Sequence, residues 1–241
     1  MFKKLTKKGF QVLPLHHAEA ILRHDMSEAI SDIESVLLTL KLPVSELVYG
    51  GGGEGELTQR LRKGLAEKGW RKHNFEIKKT VDGVEKESIS HEIDHVKKFP
   101  KGIFALEIEW NNKDPFYDRD LENFKRLHAD GVISIGGIIT RGKSLHDSMS
   151  DFIEKFAESE KIDSIKTISQ FYTPTPRQKN LIERYAKSKG SFAKGWARAF
   201  VADKFGEATT HWKKLEDRVR RGVGNPCPLL LIGLPKEIVT F

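Results

Sequence analysis

The run IFALEIEW, residues 103–110, constrains the fold more tightly than any other stretch of the chain. Every position is apolar except Glu107 and Glu109. A short apolar run of this kind reads as a buried strand. Side chains alternate along a strand, so Phe104, Leu106, Ile108 and Trp110 share one face. Ile103, Ala105, Glu107 and Glu109 share the other, with the two acids roughly 7 Å apart at Cα. Burying an ionised carboxylate without compensation is costly. A central strand carrying two of them needs something to neutralise them.

The preceding segment, SISHEIDHV, repeats the pattern. Strict alternation sets Ser90, Glu92 and Asp94 opposite Ile89, His91, Ile93 and His95. If the two strands pair as a meander, Asp94 stands beside Glu107. Facing carboxylates repel in a low-dielectric cleft. A hard cation resolves the repulsion, and carboxylate oxygens suit Mg²⁺. The alternative is a solvated sheet face whose acids pair with some of the 41 Lys and Arg residues. The apolar flanks of Glu107 and Glu109, and the matching phase on the neighbouring strand, weigh against it.

The remaining elements surround this pair of strands. DMSEAISDIESVLLTLKLP predicts a helix, with Asp25 and Glu28 in capping-box spacing and Pro43 as its stop. VYGGGGEGELTQRLRKGLAEKGW predicts a glycine loop running into a basic helix that ends near Gly69. The Asp82-Gly83 pair predicts a hairpin. After the acidic strand, DLENFKRLHAD reads as a helix and VISIGGIIT as a strand, a βαβ-like passage. LHDSMSDFIEKFAES and the region 165–206 read as helical, and CPLLLIGLP as a late buried strand. The expectation is one α/β domain over residues 1–241, a central mixed sheet flanked by helices, with a helical segment at about 144–206 serving DNA binding or dimerisation.

A net charge of +7 favours a polyanionic partner. No apolar run approaches the roughly 18 residues of a membrane helix. The basic, then apolar start MFKKLTKKGFQVLPL is too short for a signal peptide and lacks a small-residue cleavage site. One cysteine, Cys227, forms no internal disulfide framework. The expectation is a cytoplasmic protein without a membrane partner.

Asp94, Glu107 and Glu109 match D-(x)n-(D/E)-x-(K/E/Q) as Asp-x12-Glu-Ile-Glu, which resembles the signature of the PD-(D/E)XK nucleases. A glutamate at the usual lysine position resembles the BamHI-like type II restriction enzymes, and the strings GGGGEGELTQRLRKGLAEKGW, EIDHVKK, ALEIEWNNKDPFYDRDLENFKRLH, GVISIGGIITR, ATTHWKKLEDRV and CPLLLIG resemble the BglII-type restriction endonucleases. The resemblance covers roughly residues 45–142 and 207–234. It implies a Mg²⁺-dependent homodimer that hydrolyses double-stranded DNA at a short palindromic site, accompanied by a DNA methyltransferase. Asp94 and Glu107 would be metal ligands. Glu109 would occupy the position that is lysine in the commoner pattern, as a base or through a metal-bound water. Glu56, on the helix after the glycines, would complete the site; an acid at a helix N-terminus also complements the dipole without any catalytic role.

Candidate DNA contacts are Arg60, Arg62 and Lys63 on the basic helix, Lys113 beyond the acidic strand, and Thr209 and Thr210 at a helix start. A solvated helix face, a turn and ordinary capping are the respective structural alternatives. Gly50 to Gly53 lack the following Lys-Ser/Thr of a nucleotide loop. The string Asp118-Arg119-Asp120 reads as a helix cap, and His211 as a neutral core histidine. Two rival readings are a repair, structure-selective or modification-dependent nuclease on the same core, and a DNA-binding protein whose acids are structural.

Overall fold

The computed structural model describes residues 1–49, 55–113 and 115–241. Its strands are β1 (Gln11–Leu15), β2 (Leu42–Pro43), β3 (Arg71–Val81), β4 (Val84–Phe99), β5 (Gly102–Glu109), β6 (Ile135–Arg141), β7 (Leu229–Leu234) and β8 (Val239–Thr240). Among the described residues they form a six-stranded mixed sheet, ordered β1-β7-β6-β5-β4-β3, and a small parallel pair, β2-β8. Strands β5, β6 and β7 run parallel, and the other contacts of the large sheet are antiparallel. The acidic strand β5 is therefore interior, between β4 and β6. Strands covered on both faces read as continuous apolar runs, which accounts for Ile135–Arg141 and Leu229–Leu234.

The helices are α1 (Lys3–Lys7), α2 (Ala18–His24), α3 (Ser27–Leu38), α4 (Val44–Val48), α5 (Glu56–Glu67), α6 (Phe116–Ala129), α7 (Lys143–Ser159), α8 (Ile165–Ile168), α9 (Pro176–Lys189), α10 (Phe192–Lys204) and α11 (Trp212–Arg220). Two apolar cores lie on opposite faces of the sheet. Phe104, Leu106, Ile108, Ile139 and Ile232 pack against helices including α3, α5, α7 and α10. Ala105, Ile138, Leu229 and Leu231 pack against α6 and α11 through Tyr117, Leu121, Phe124, Trp212 and Leu215. Alternation thus turns Glu107 and Glu109 toward the α6 side. Helix α6 approaches closely because Gly136 has no side chain: a Cβ there would meet the Phe124 ring at 2.6 Å.

The hairpin forms as its sequence predicts. Val81 pairs with Val84, and Asp82 and Gly83 have φ of 51° and 78°, the positive values of a type I′ turn. Helix α9 begins with Pro176 at its first turn and a capping box between Thr175 and Gln178.

Three expectations are corrected. The capping box of the first long helix does not form: α3 starts at Ser27 after Met26, Lys101 takes Asp25 at 2.9 Å and Lys97 takes Glu28 at 2.7 Å. Pro43 lies in β2, past the end of that helix. Helix α6 starts at Phe116, so Asp118, Arg119 and Asp120 lie within it rather than capping it. Strict alternation along β4 fails, because the register shifts between the Arg71–Val96 and His73–Ile93 pairs, a β-bulge. Beyond it Ile93 packs in the α6-side core and His91 reaches Asn123 of α6, so these two residues share the side of Glu107. Among the described residues, no helix is long and apolar enough to cross a membrane.

Candidate active site

Residues from β4, β5 and α6 enclose a cleft of about 540 Å³. Antiparallel pairing of His95 with Leu106 carries on to bring Asp94 opposite Glu107, and the Asp94 amide donates to Glu107 Oε1 at 3.4 Å. Asp94 is exposed, whereas Glu107 and Glu109 are only 5% and 3% exposed. The three residues of the Asp-x12-Glu-Ile-Glu pattern are therefore together on one side of the sheet.

A fourth acid joins them. Asp120 of α6 is 1% exposed, and its negative charge raises the pKa of both glutamates. Its Oδ1 accepts from Arg119 Nε at 2.9 Å, and its carboxyl shares a hydrogen bond with that of Glu109. The signal for Asp120 was helical phase: with the helix begun at Phe116, it falls between Tyr117 and Phe124 on the apolar stripe. An acid at that position is the α6 counterpart of the acids in β5.

Glu109 has the richest surroundings. Asn112 Nδ2 donates to its Oε2 at 2.6 Å, and Arg119 Nη2 stands 3.9 Å from its Oε1. Its carbonyl oxygen accepts from Thr140 Oγ1 at 2.7 Å. Burial, reinforced by Asp120 and then Asp94, pushes Glu107 up to about 9. Burial and Asp120 push Glu109 up to about 8, with Asn112 and Arg119 pulling the other way. Burial also raises Asp120 against the pull of Arg119. Protein groups alone thus leave Glu107 and Glu109 favouring the protonated form at neutral pH. A cation would reverse that preference.

The segment after β5 is held from far along the chain. Asn112 accepts from the Thr210 amide at 2.8 Å, and its own amide donates to Thr210 Oγ1 at 3.0 Å. Arg141 is fully buried. It donates to Asn111 Oδ1 at 3.2 Å, Thr209 Oγ1 at 2.9 Å and the Phe205 carbonyl at 3.3 Å. Burial lowers its pKa to about 10. Sequence reasoning did not single out Arg141; a lone Arg ending an apolar strand was the available sign.

The other candidate residues lie elsewhere. Glu56 opens α5 and is exposed, outside the walls of the cleft. Arg60 is engaged by Glu46 through two hydrogen bonds of 2.8 and 2.7 Å, and by the Lys41 carbonyl. Arg62 and Lys63 are exposed on α5. Lys113 is exposed, and its backbone bridges to Thr209. Thr209 and Thr210 are 5% and 0% exposed, and their hydroxyls accept from Arg141 and from the Asn112 amide. Gly50 to Gly53 lie outside the described residues. His211 is buried with its pKa lowered to about 4, a neutral imidazole. Cys227 is a buried thiol pushed up to about 12.

No curated protein matches the chain. Residues 10–234 match the sequence model described as Restriction endonuclease BglII/BglIII. The mixed sheet with helices on both faces fits a PD-(D/E)XK-like core, and the chain belongs to the BglII/BglIII family of restriction endonucleases, site-specific nucleases that act on DNA.

Proposed function

We propose that the protein is a Mg²⁺-dependent type II restriction endonuclease, acting as a homodimer on a short palindromic site in double-stranded DNA. The observation that carries this reading is the convergence of Asp94, Glu107 and Glu109 on one cleft, with the charge of buried Asp120 bearing on both glutamates. The donor set fits a hard cation: it is all carboxylate oxygen, and the buried glutamates face like charges that a cation would neutralise. Asp94 and Glu107 would hold the ion, with the charge of Asp120 acting on the same site. When bound, Mg²⁺ supplies an activated water and charge compensation at the scissile phosphate.

The chain's own residues divide the remaining work. Glu109, oriented by Asn112 at 2.6 Å, is placed to take the proton of the attacking water. Arg119 is 54% exposed by side chain at the mouth of the cleft, where its guanidinium can meet a phosphate oxygen. Arg62 and Lys63 on α5, with Lys113, supply sequence-independent attraction to the DNA backbone. Two-fold symmetry of the dimer matches two-fold symmetry of the site. The helical layer over about 144–206 serves DNA binding or dimer contact. A companion methyltransferase protects the host site without being a stable subunit.

The test is digestion of several sequenced plasmids with Mg²⁺, with and without EDTA, followed by sequencing of the ends. Discrete EDTA-sensitive fragments sharing one short motif support the reading. Cutting confined to branched, nicked or modified DNA moves the protein to a different nuclease activity. Binding without cutting on any of these substrates defeats the catalytic reading.

A further inference from the structure

Three further side chains converge away from the four acids. His146 lies in the first turn of α7, Glu207 in the loop after α10, and His211 immediately before α11, with one ligand atom from each lying within 4.8 Å of the others. The two imidazoles stack, their centroids 4.2 Å apart and their planes inclined by 11°. Both turn Nε2 toward the Glu207 carboxylate, at 3.6 Å for His146 and 3.5 Å for His211.

These separations are too long for good hydrogen bonds. His211 is 2% exposed, and its Nε2 has no hydrogen-bond partner among the described residues. A buried polar atom left in that state costs about 1–3 kcal/mol. The same separations do suit two donors of one tetrahedral ion: bonds of about 2.1 Å at the tetrahedral angle set neighbouring donors about 3.4 Å apart. We propose that His146, Glu207 and His211 form a binding site for a transition-metal dication such as Zn²⁺, separate from the carboxylate cleft.

The chemistry separates the two sites. Imidazole nitrogen selects zinc, nickel or copper, whereas Mg²⁺ takes oxygen. Only neutral imidazole coordinates, and burial lowers the pKa of both histidines. Arg141 and Lys214 oppose a cation here, while Glu207 and Asp147 favour one. Three protein ligands leave a fourth position for water. The ion ties the start of α7 to the segment containing Thr209 and Thr210, which grips Arg141 and Asn112. Its effect is to brace the end of β5.

The test uses full-length protein stripped with EDTA and dialysed into Zn²⁺ without Mg²⁺. Bound zinc and thermal midpoint are measured for wild type, Glu107→Gln, His146→Gln and Glu207→Gln. Glu207 is 82% exposed by side chain, so its variant retains the fold. Wild type and Glu107→Gln are expected to gain thermal stability with Zn²⁺. His146→Gln and Glu207→Gln should each lose that gain, with zinc affinity falling by at least the roughly 10–100-fold that loss of even an outer-shell partner costs. The proposal is overturned if wild type binds no zinc, if the zinc-linked gain survives both His146→Gln and Glu207→Gln, or if Glu107→Gln abolishes it.

Discussion

Asn112 Nδ2 lies 2.6 Å from Glu109 Oε2, three residues back along the chain, and Asn112 is itself fixed by paired hydrogen bonds to Thr210. The hydrogen bond favours the ionised form of Glu109. Asn112→Ala should therefore raise the Glu109 pKa and move the ascending limb of the cleavage pH profile to higher pH. A hydrogen bond to a charged group contributes about 1.5–3 kcal/mol, so cleavage near neutrality should fall about 10- to 100-fold. The pH dependence of single-turnover cleavage checks this: an unshifted limb would remove Glu109 from the proton-transfer role.

Glu107→Ala should abolish Mg²⁺-dependent cleavage while leaving DNA binding within about threefold of wild type, because the basic surface is untouched. Gel-shift titration in Ca²⁺ or EDTA, beside a cleavage assay in Mg²⁺, separates the two. Cutting at the wild-type rate would displace Glu107 from the site.

The buried acids tie stability to pH. Glu107 sits at about 9 in the fold against an ordinary value of 4.5, so between these limits the folded chain keeps a proton that the unfolded chain has released. This stabilisation is complete below about pH 4.5 and is lost as pH rises toward 9. Metal-free protein should become steadily less stable across that window, and Glu107→Gln should flatten the slope. Urea midpoints at pH 6, 7.5 and 9 in EDTA test the sign; a wild-type slope that rises with pH would contradict it.

Asp120→Asn removes one like charge facing both glutamates. The variant should be more stable than wild type in EDTA at pH 8, and its cleavage profile should shift to lower pH. Loss of an oxygen ligand or its support should also raise the Mg²⁺ concentration needed for half-maximal cleavage by roughly 10-fold or more. A Mg²⁺ requirement equal to that of wild type would make Asp120 an electrostatic neighbour alone.

The basic residues of α5 divide by exposure, Arg62 and Lys63 being exposed and Arg60 half-buried against Glu46. Arg62→Ala with Lys63→Ala should weaken DNA binding on every sequence and lower the salt slope by about 2. Arg60→Ala should instead cost about 1 kcal/mol of stability through the lost Glu46 pair, with little change in the salt slope. Affinity at several salt concentrations and denaturant melts of the same variants distinguish the outcomes.

The acidic strand was legible because its alternation is local: two glutamates in an apolar run fix their own face. Asp94 was placed beside Glu107 correctly, although the alternation assigned to its neighbours His91 and Ile93 was inverted by a bulge. A bulge of this kind demands no particular residue, so the sequence carries no mark of it. Asp120 was overlooked because a helix start set four residues too late makes an acid look like a cap. The surroundings of Thr209 and Thr210 are illegible for a different reason. Their burial is imposed by Arg141 and Asn112, which arrive from other elements, and no local pattern encodes that encounter. The Arg60–Glu46 pair is likewise a meeting of two helices, separated in sequence by Gly50 to Gly53.

The bond between Arg141 and Thr209 joins the point where the chain leaves β6 to the point where it returns toward α11. Everything between them, α7 to α10, is an excursion with a closed neck. The entropy of closing a long loop grows only slowly with its length, so the excursion's outer part can be lengthened, trimmed or given a new surface while the neck holds its width. The spacing of the acids is set on the sheet side of that neck. The helical layer and the wall of acids are in this way separately heritable: one can drift while the other stands still.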